Sequence, residues 1–217
     1  MAAGKGARMR SAVPKVLHRL AGRSLWQHVL ATAAALSPQR TVVVTGHGAD
    51  AVEASLAGDG LHCVRQMPQL GTGHAVQQAV PALDDAAEVT LILNGDVPLI
   101  AVDTARALAA ACGGTQLALL TVTLADPSGY GRIVRDAAGD MVRAIVEHKD
   151  ASAAQRDIRE VYTGMMAAPT ALLKRWVGAL RNDNVQREFY LTDIVAMAVA
   201  DGVPVVTASA RDETEVL

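Results

Sequence analysis

The residues best suited to chemistry stand at the start of the chain. Ala2, Ala3, Gly4 and Gly6 are small enough for a backbone to turn tightly and bring its N–H groups against an anion or a flat ring. Arg8 and Lys15 add two positive charges within the same loop, an arrangement suited to a polyphosphate. Further on, Gln66 precedes the run Leu70-Gly71-Thr72-Gly73-His74-Ala75. A carboxamide can pair with both a donor and an acceptor on a nucleobase edge. Gly71-Thr72, opening a helix, offers backbone N–H groups and a hydroxyl at the positive end of its dipole. The same two residues also make an ordinary helix cap. Asp96 follows a very apolar run, a common seat for a divalent cation bound to phosphates. A turn-forming aspartate before Val97-Pro98 would look the same. Spacing alone leaves these alternatives open.

The elements that must position these residues alternate along the first half. Ser24 to Leu36 has helical spacing of its apolar residues, and residues 41–45 (T-V-V-V-T) form a β-branched run suited to a strand buried on both faces. Residues 49–56 read as a helix, 62–66 as a strand, 73–83 as mostly helical and 89–93 as the most apolar strand. A helix over about 103–111 follows. Helix–strand alternation with short connections predicts an α/β fold, a doubly wound (Rossmann-like), mostly parallel sheet. In such sheets ligands collect at the carboxyl ends of strands, which is where the opening loop, Gln66 and Asp96 fall. After Gly113 the chain becomes strand-rich: 116–124, a pair at 131–135 and 142–147 around the turn Ala138-Gly139-Asp140, 159–166, and a last strand at 203–208. Helices are predicted near 169–180, with Pro169 in a first turn, and near 190–200. The expected organisation is one domain over residues 1–217, with a nucleotide-binding half to about 112 and a sugar-binding half from 113.

Composition narrows the function classes. The chain has 217 residues, of which 51% are hydrophobic and 19% charged, so it has the makings of a globular domain with a full core. A net charge of −2 argues against bulk nucleic-acid binding or a polybasic membrane surface, so a phosphate site must be local. No apolar run of about 18 residues and no basic-then-apolar leader is visible, and the cytoplasm is the expected location. Cys63 and Cys112 lack metal or redox spacing and read as buried free thiols.

The opening M-A-A-G-K-G-A-R-M, followed by Pro14-Lys15, resembles the nucleotide-binding loop of the sugar-1-phosphate nucleotidyltransferases, L-A-A-G-x-G-(S/T)-R-M with P-K. It departs from that pattern at Met1 and Ala7, and it lacks the apolar residues that form the family's first strand. The motifs Q-x-x-x-L-G-T-G-H-A (66–75), G-D-V-P-L (95–99), G-Y-G-R-I (129–133), V-E-H-K-D (146–150), T-G (163–164) and E-F-Y-L-T-D (188–193) recur in order. Together they resemble the uridylyltransferase domain of the bifunctional N-acetylglucosamine-1-phosphate uridylyltransferase/glucosamine-1-phosphate acetyltransferase family, whose β-helical acetyltransferase half has no counterpart in the sequence.

The resemblance implies an enzyme transferring uridylyl from UTP to N-acetylglucosamine-1-phosphate with Mg²⁺, for cell-wall precursor synthesis. It implies nucleotide contacts at Ala2, Ala3, Gly4, Gln66, Gly71, Thr72, Asn94 and Gly95. Transition-state cations fall at Arg8 and Lys15, a metal ligand at Asp96, and sugar contacts at Gly131 and Glu147, with Tyr190 and Thr192 in a segment lining the same pocket. Tyr162 stands where the family usually has Asn as a sugar contact. The resemblance places a second metal-ligand Asn, in a Gly-Val-Asn stretch, beyond Leu217. Trimerisation in the family rests largely on the β-helix, so self-association is expected to be weak. A chain lacking the first strand is expected to pack loosely. The alternatives are a non-catalytic nucleotide- or sugar-nucleotide-binding fragment, or a related cytidylyl- or guanylyltransferase.

Overall fold

A computed structural model describes residues 1–4, 11, 13–56 and 60–216. In chain order the elements are β1 (Arg19–Leu20), β2 (Arg23–Ser24), α1 (Leu25–Ala35), β3 (Val42–Thr45), α2 (Ala49–Ala54), β4 (His62–Arg65), α3 (Thr72–Ala79), β5 (Val89–Ile92) and α4 (Val102–Cys112). There follow β6 (Leu117–Thr123), β7 (Gly131–Arg135), β8 (Val142–Val146), α5 (Ala153–Arg156), β9 (Glu160–Pro169), α6 (Thr170–Gly178), α7 (Ile194–Ala200) and β10 (Val205–Ser209). Apolar periodicity placed every one of the longer elements to within a few residues.

The central sheet is mixed, in the order β10-β6-β9-β7-β8, with β5 also paired to β9. Strand β10 runs parallel to β6, and β9 runs antiparallel to β5, β6 and β7. Strands β3 and β4 form a separate parallel pair. Long, apolar β9 is the spine of the molecule: Val161 and Met165 to Ala168 are wholly buried. On one face the sheet packs against α3, α6 and α7 through Val76, Leu173, Trp176 and Ile194. On the other it packs against α4 through Ala105, Leu108 and Cys112. Pro169 ends β9, opposite Val89, and caps α6 rather than lying in its first turn. An extended φ/ψ at this position serves strand and cap together.

Two thiols were expected to be buried; Cys112 is, but Cys63 is exposed. The cause is that β4 pairs with β3 alone among the described residues, and most of its side chains face solvent. A buried polar residue escaped sequence reasoning. Glu215 is 6% exposed and accepts from the backbone N–H of Ala101, at the start of α4, and of Arg211. It ties the last turn of the chain to that helix as a carboxylate at a helix N-terminus.

Ahead of β1 the described residues contribute one bridge to the sheets. Ala2 lies parallel beside Thr45, its N–H donating to Val44 O at 2.8 Å. On the other side the Met1 ammonium donates to Leu93 O at 2.6 Å, and Gly95 N–H donates to Met1 O at 2.8 Å. Residues 1–3 therefore link the carboxyl ends of β3 and β5. Behind them the facing edges of those strands line an apolar groove of about 660 Å³.

Candidate active site

Strands β3, β4 and β5 all deliver their carboxyl ends to the rim onto which Ala3 and Gly4 emerge. Ala2 and Ala3 are buried, fixed by the bridge to β3, and His47 N–H donates to Ala3 O at 3.2 Å. Arg8 lies outside the described residues. Lys15 sits in a short 3-10 turn (Lys15–Leu17) rather than an open loop, and its Nζ donates to Asp96 Oδ2 at 2.7 Å. Both side chains are about one-third exposed. The cation and the carboxylate predicted for phosphate and metal are therefore in contact, although they stand 81 residues apart.

Gln66 is almost fully buried, and its Nε2 donates to Gly71 O at 2.8 Å and faces His74 Nδ1 at 3.2 Å. The donor that sequence reasoning aimed at a base is thus spent on holding the Gly71 turn. Gly71 has φ +107°, and a Cβ there would meet Phe189 O at 2.6 Å, so only glycine fits. It is Gly71 that caps α3, while the Thr72 hydroxyl accepts from Leu191 N–H at 3.1 Å. Phe189 N–H donates to Leu70 O and Gly73 N–H donates to Phe189 O, both at 2.8 Å. The segment 188–192 is in this way bolted onto the 70–73 turn.

That segment carries the connection onward, because Thr192 Oγ1 donates to Glu147 Oε1 at 3.0 Å. Glu147 follows β8, opposite the start of β7, and Gly131 opens β7 beside Tyr162 on β9. A Cβ at Gly131 would stand 2.8 Å from Ile145 and 3.7 Å from the Glu147 carboxylate, so glycine there keeps the space before the acid clear. Gly164 plays the same part opposite Asn94: a Cβ would strike its Nδ2 at 2.2 Å. Between these residues lies a cavity of about 190 Å³, lined by Glu147, Tyr162, Asn94, Gly131, Thr72 and Thr192 among others. The structure brings Gly131, Glu147 and Tyr162 together as a group. Through Asn94, Thr72 and Met1, it joins them to the rim that bears Asp96.

The residue that sequence reasoning missed is Arg132. It is 1% exposed and donates to the backbone carbonyls of Tyr130 and Arg156, with Nη2 facing His148 Nδ1 at 3.3 Å. Because Arg132 lies opposite Val146 in the β7–β8 register, this guanidinium locks G-Y-G-R-I to V-E-H-K-D and fixes the strand ends that present Gly131 and Glu147. The available signal was that G-Y-G-R-I and V-E-H-K-D fall on two strands expected to pair around the turn at 138–140.

Burial raises the Glu147 carboxyl above its ordinary value, with the negative charges of Asp150, Asp193 and Glu188 adding to the effect and the Thr192 hydrogen bond opposing it. The folded state then favours the protonated form. The contribution of this group to stability is present below the ordinary carboxylate range and is lost as pH rises through the raised folded value. Glu147→Gln is therefore expected to melt higher than the parent at pH 7, with the gap closing as the pH approaches about 4. It should also weaken binding of any ligand hydroxyl held by the carboxylate by about 10- to 100-fold. Parallel melts across pH 4–8 and a titration with the ligand check both expectations; a variant that melts lower throughout would show that Glu147 is a structural acid.

Asp96 suits a hard divalent cation. Such ions take one or two carboxylates and complete their shell with substrate phosphate oxygens and water. Among the described residues no cluster of three or more His, Cys, Asp or Glu is present that could bind a metal without such help. None of the described helices is long and apolar enough to cross a membrane.

Comparison with known proteins identifies relatives of the chain and of its fold. Two relatives named bifunctional protein GlmU, from Methylibium petroleiphilum and Paracidovorax citrulli, are 69% and 64% identical over the whole of the chain. The chain spans about half the length of these curated relatives, 48% and 46% respectively. A UDP-glucose pyrophosphorylase from Acinetobacter baumanii shares the fold with a TM-score of 0.68 at 17% identity, over 97% of this chain and 84% of that one. An apo UDP-glucose pyrophosphorylase superposes with a TM-score of 0.72 at 15% identity, over 96% and 88%. The MobA-like NTP transferase domain matches residues 1–168. The chain is a nucleotidyltransferase and belongs to the MobA-like NTP transferase domain family.

Proposed function

We propose that this domain transfers uridylyl from UTP to N-acetylglucosamine-1-phosphate, giving UDP-N-acetylglucosamine and pyrophosphate. One juxtaposition carries the reading: a single rim presents the Lys15–Asp96 pair and, two residues before Asp96, opens through Asn94 into the cavity walled by Glu147 and Tyr162. The first feature is chemistry for phosphates, the second for a hydroxyl-rich ring. The GlmU relatives, at 69% and 64% identity, favour a uridylyl donor and an amino-sugar acceptor.

In this reading residues 1–112 hold the nucleotide and 113–217 the sugar. The base lies against the backbone of Ala2–Gly4, with Gln66 supporting the Gly71–Thr72 turn behind it and Asn94–Gly95 closing the side. The 1-phosphate oxygen of the sugar attacks the α-phosphorus in line; the bond to the β-phosphate oxygen breaks and pyrophosphate leaves. The nucleophile is already an anion and needs no base. Lys15, released from Asp96, and Arg8 stabilise the charge that develops on the phosphoryl oxygens. Mg²⁺ is the cation we assign to Asp96; when bound it neutralises phosphate charge and helps orient the triphosphate. Gly131 and Glu147 orient the acceptor so that its phosphate meets the α-phosphorus.

The test is magnesium-dependent pyrophosphate release from UTP plus N-acetylglucosamine-1-phosphate. UTP is expected to outperform CTP by at least about tenfold, or roughly 1.4 kcal/mol of discrimination. Equal rates with CTP would remove the uridylyl assignment and leave the fold untouched. Nucleotide binding without turnover would point to a non-catalytic module.

A further inference from the structure

Asp96 owes its position to its backbone. Among the described residues its carboxylate meets one side chain, Lys15, and an ion pair whose partners are both about one-third exposed holds neither firmly. The loop that carries it, residues 94–101, is instead fixed at its two ends. At the near end Gly95 N–H donates to Met1 O at 2.8 Å. At the far end a single peptide group, that between Ile100 and Ala101, is gripped on both sides. Thr32 Oγ1 on α1 donates to Ile100 O at 3.0 Å, and Ala101 N–H donates to Glu215 Oε1 at 2.8 Å. Between the two ends Val97 and Ile100 are buried in the core cluster of α4, which Val216 joins. Glu215 is 6% exposed and uses both oxygens, Oε2 accepting from Arg211 N–H at 2.9 Å. A helix that needed only a cap would take it from a serine or aspartate at 101, where an alanine stands.

We propose that Glu215 is a positioning residue for the reaction: through Ala101 it sets the course of the loop and so the place of Asp96 at the rim. The proposal rests on the reading of Asp96 as the ligand of a divalent cation shared with the bound triphosphate. It adds a dependence of that ligand on a buried acid far along the chain. Nothing local replaces the grip, because residues 97–100 are Val-Pro-Leu-Ile and offer no polar side chain to hold the loop. A group that binds at the reacting centre tolerates little displacement, and about 1 Å is enough to be felt. Glu215 and Thr32 therefore act as a pair, one on the N–H and one on the C=O of the same peptide group, from two elements that pack on either side of it.

The quantity to read is the gain in UTP affinity on adding Mg²⁺, measured by calorimetry on the full chain with and without the metal. Glu215→Ala should reduce that gain by about tenfold, the lower end of what losing the support behind a metal ligand costs. Its metal-free UTP binding should stay at the parent's value. Glu215→Gln retains an acceptor for Ala101 and should keep most of the gain. Leu173→Ala, buried in the core on the other face of the sheet, provides a destabilised protein with an intact loop; it should melt lower and keep the gain in full. Thr32→Val removes the grip on the other side of the same peptide group and should also cut the gain, and it carries the test if Glu215→Ala does not fold. A parent-like gain in Glu215→Ala, or in Thr32→Val standing in for it, would overturn the proposal. So would an equal loss with and without Mg²⁺, which would put the effect on the nucleotide site as a whole. The same loss in Leu173→Ala would tie the effect to stability alone and overturn it too. If Mg²⁺ gives the parent itself no gain, the metal reading of Asp96 fails first, a result distinguishable from the other three.

Discussion

Lys15→Ala is expected to lower turnover by about 100- to 1,000-fold, the usual scale for removing one preorganised group that stabilises transition-state charge. Its partner in the empty protein is Asp96, and both side chains are about one-third exposed. An ion pair so placed contributes only about 0–1 kcal/mol to folding, so the melting temperature should hardly move. The contrast is the useful part: a large kinetic effect with a small thermal one separates a catalytic cation from a structural one. Lys15→Arg keeps the charge but replaces a compact ammonium by a planar fork, and should fall between the two. Steady-state pyrophosphate release at saturating UTP measures all three proteins. Near-full turnover by the alanine variant would mean that Lys15 does no more than neutralise Asp96.

The positions of these groups along the chain were legible because they follow local rules. Apolar periodicity located β3, β4 and β5, and the rule that ligands collect at strand ends then pointed to Gly4, Gln66 and Asp96. Their partnerships were not legible. Gln66 and Asp96 both stand just beyond the carboxyl end of a strand, yet one is buried and bonded to its own loop while the other is half-open beside Lys15. That difference depends on Gly71, His74 and a turn at 15–17, and no spacing rule reports it. The same limit hid Glu215, whose partner Ala101 is 114 residues away, and Arg132, whose burial depends on carbonyls that only the folded β7–β8 pair and α5 bring together. Cys63 shows the converse error. A cysteine without metal or redox spacing reads as a buried thiol, but whether its face of the strand is covered depends on which strands become neighbours.

Filling the groove between β3 and β5 is expected to have the largest effect on stability. Each strand is paired along one edge, β3 to β4 and β5 to β9, and the opposite edges face each other across an apolar space of about 660 Å³. The walls include Val29, Leu30, Val43 and Ile92, so an extended segment there would bury side chains on both faces as well as pair its backbone with both edges. Ala2 already sets the direction, parallel to β3, and the bonds made by Ala2 and Met1 to Val44 and Leu93 show the register beginning. An extension of five apolar β-forming residues placed ahead of Met1 would enter the groove in line. Each buried aliphatic side chain is worth about 1.5–3 kcal/mol. Ordering the segment costs about 1–2 kcal/mol per residue in backbone entropy. Backbone pairing adds about 0.5–1.5 kcal/mol per bond, which leaves a net gain of a few kcal/mol. At about 2–4 °C per kcal/mol for a chain of this size, the melt should rise by roughly 5–15 °C and sharpen. A five-residue Gly-Ser extension is the control, since it offers the same backbone with nothing to bury and should leave the melt unchanged. If the two extensions melted together, the gain would not come from burying side chains in the groove, and the gap between β3 and β5 would have to be closed in solution by a rearrangement of the strands themselves.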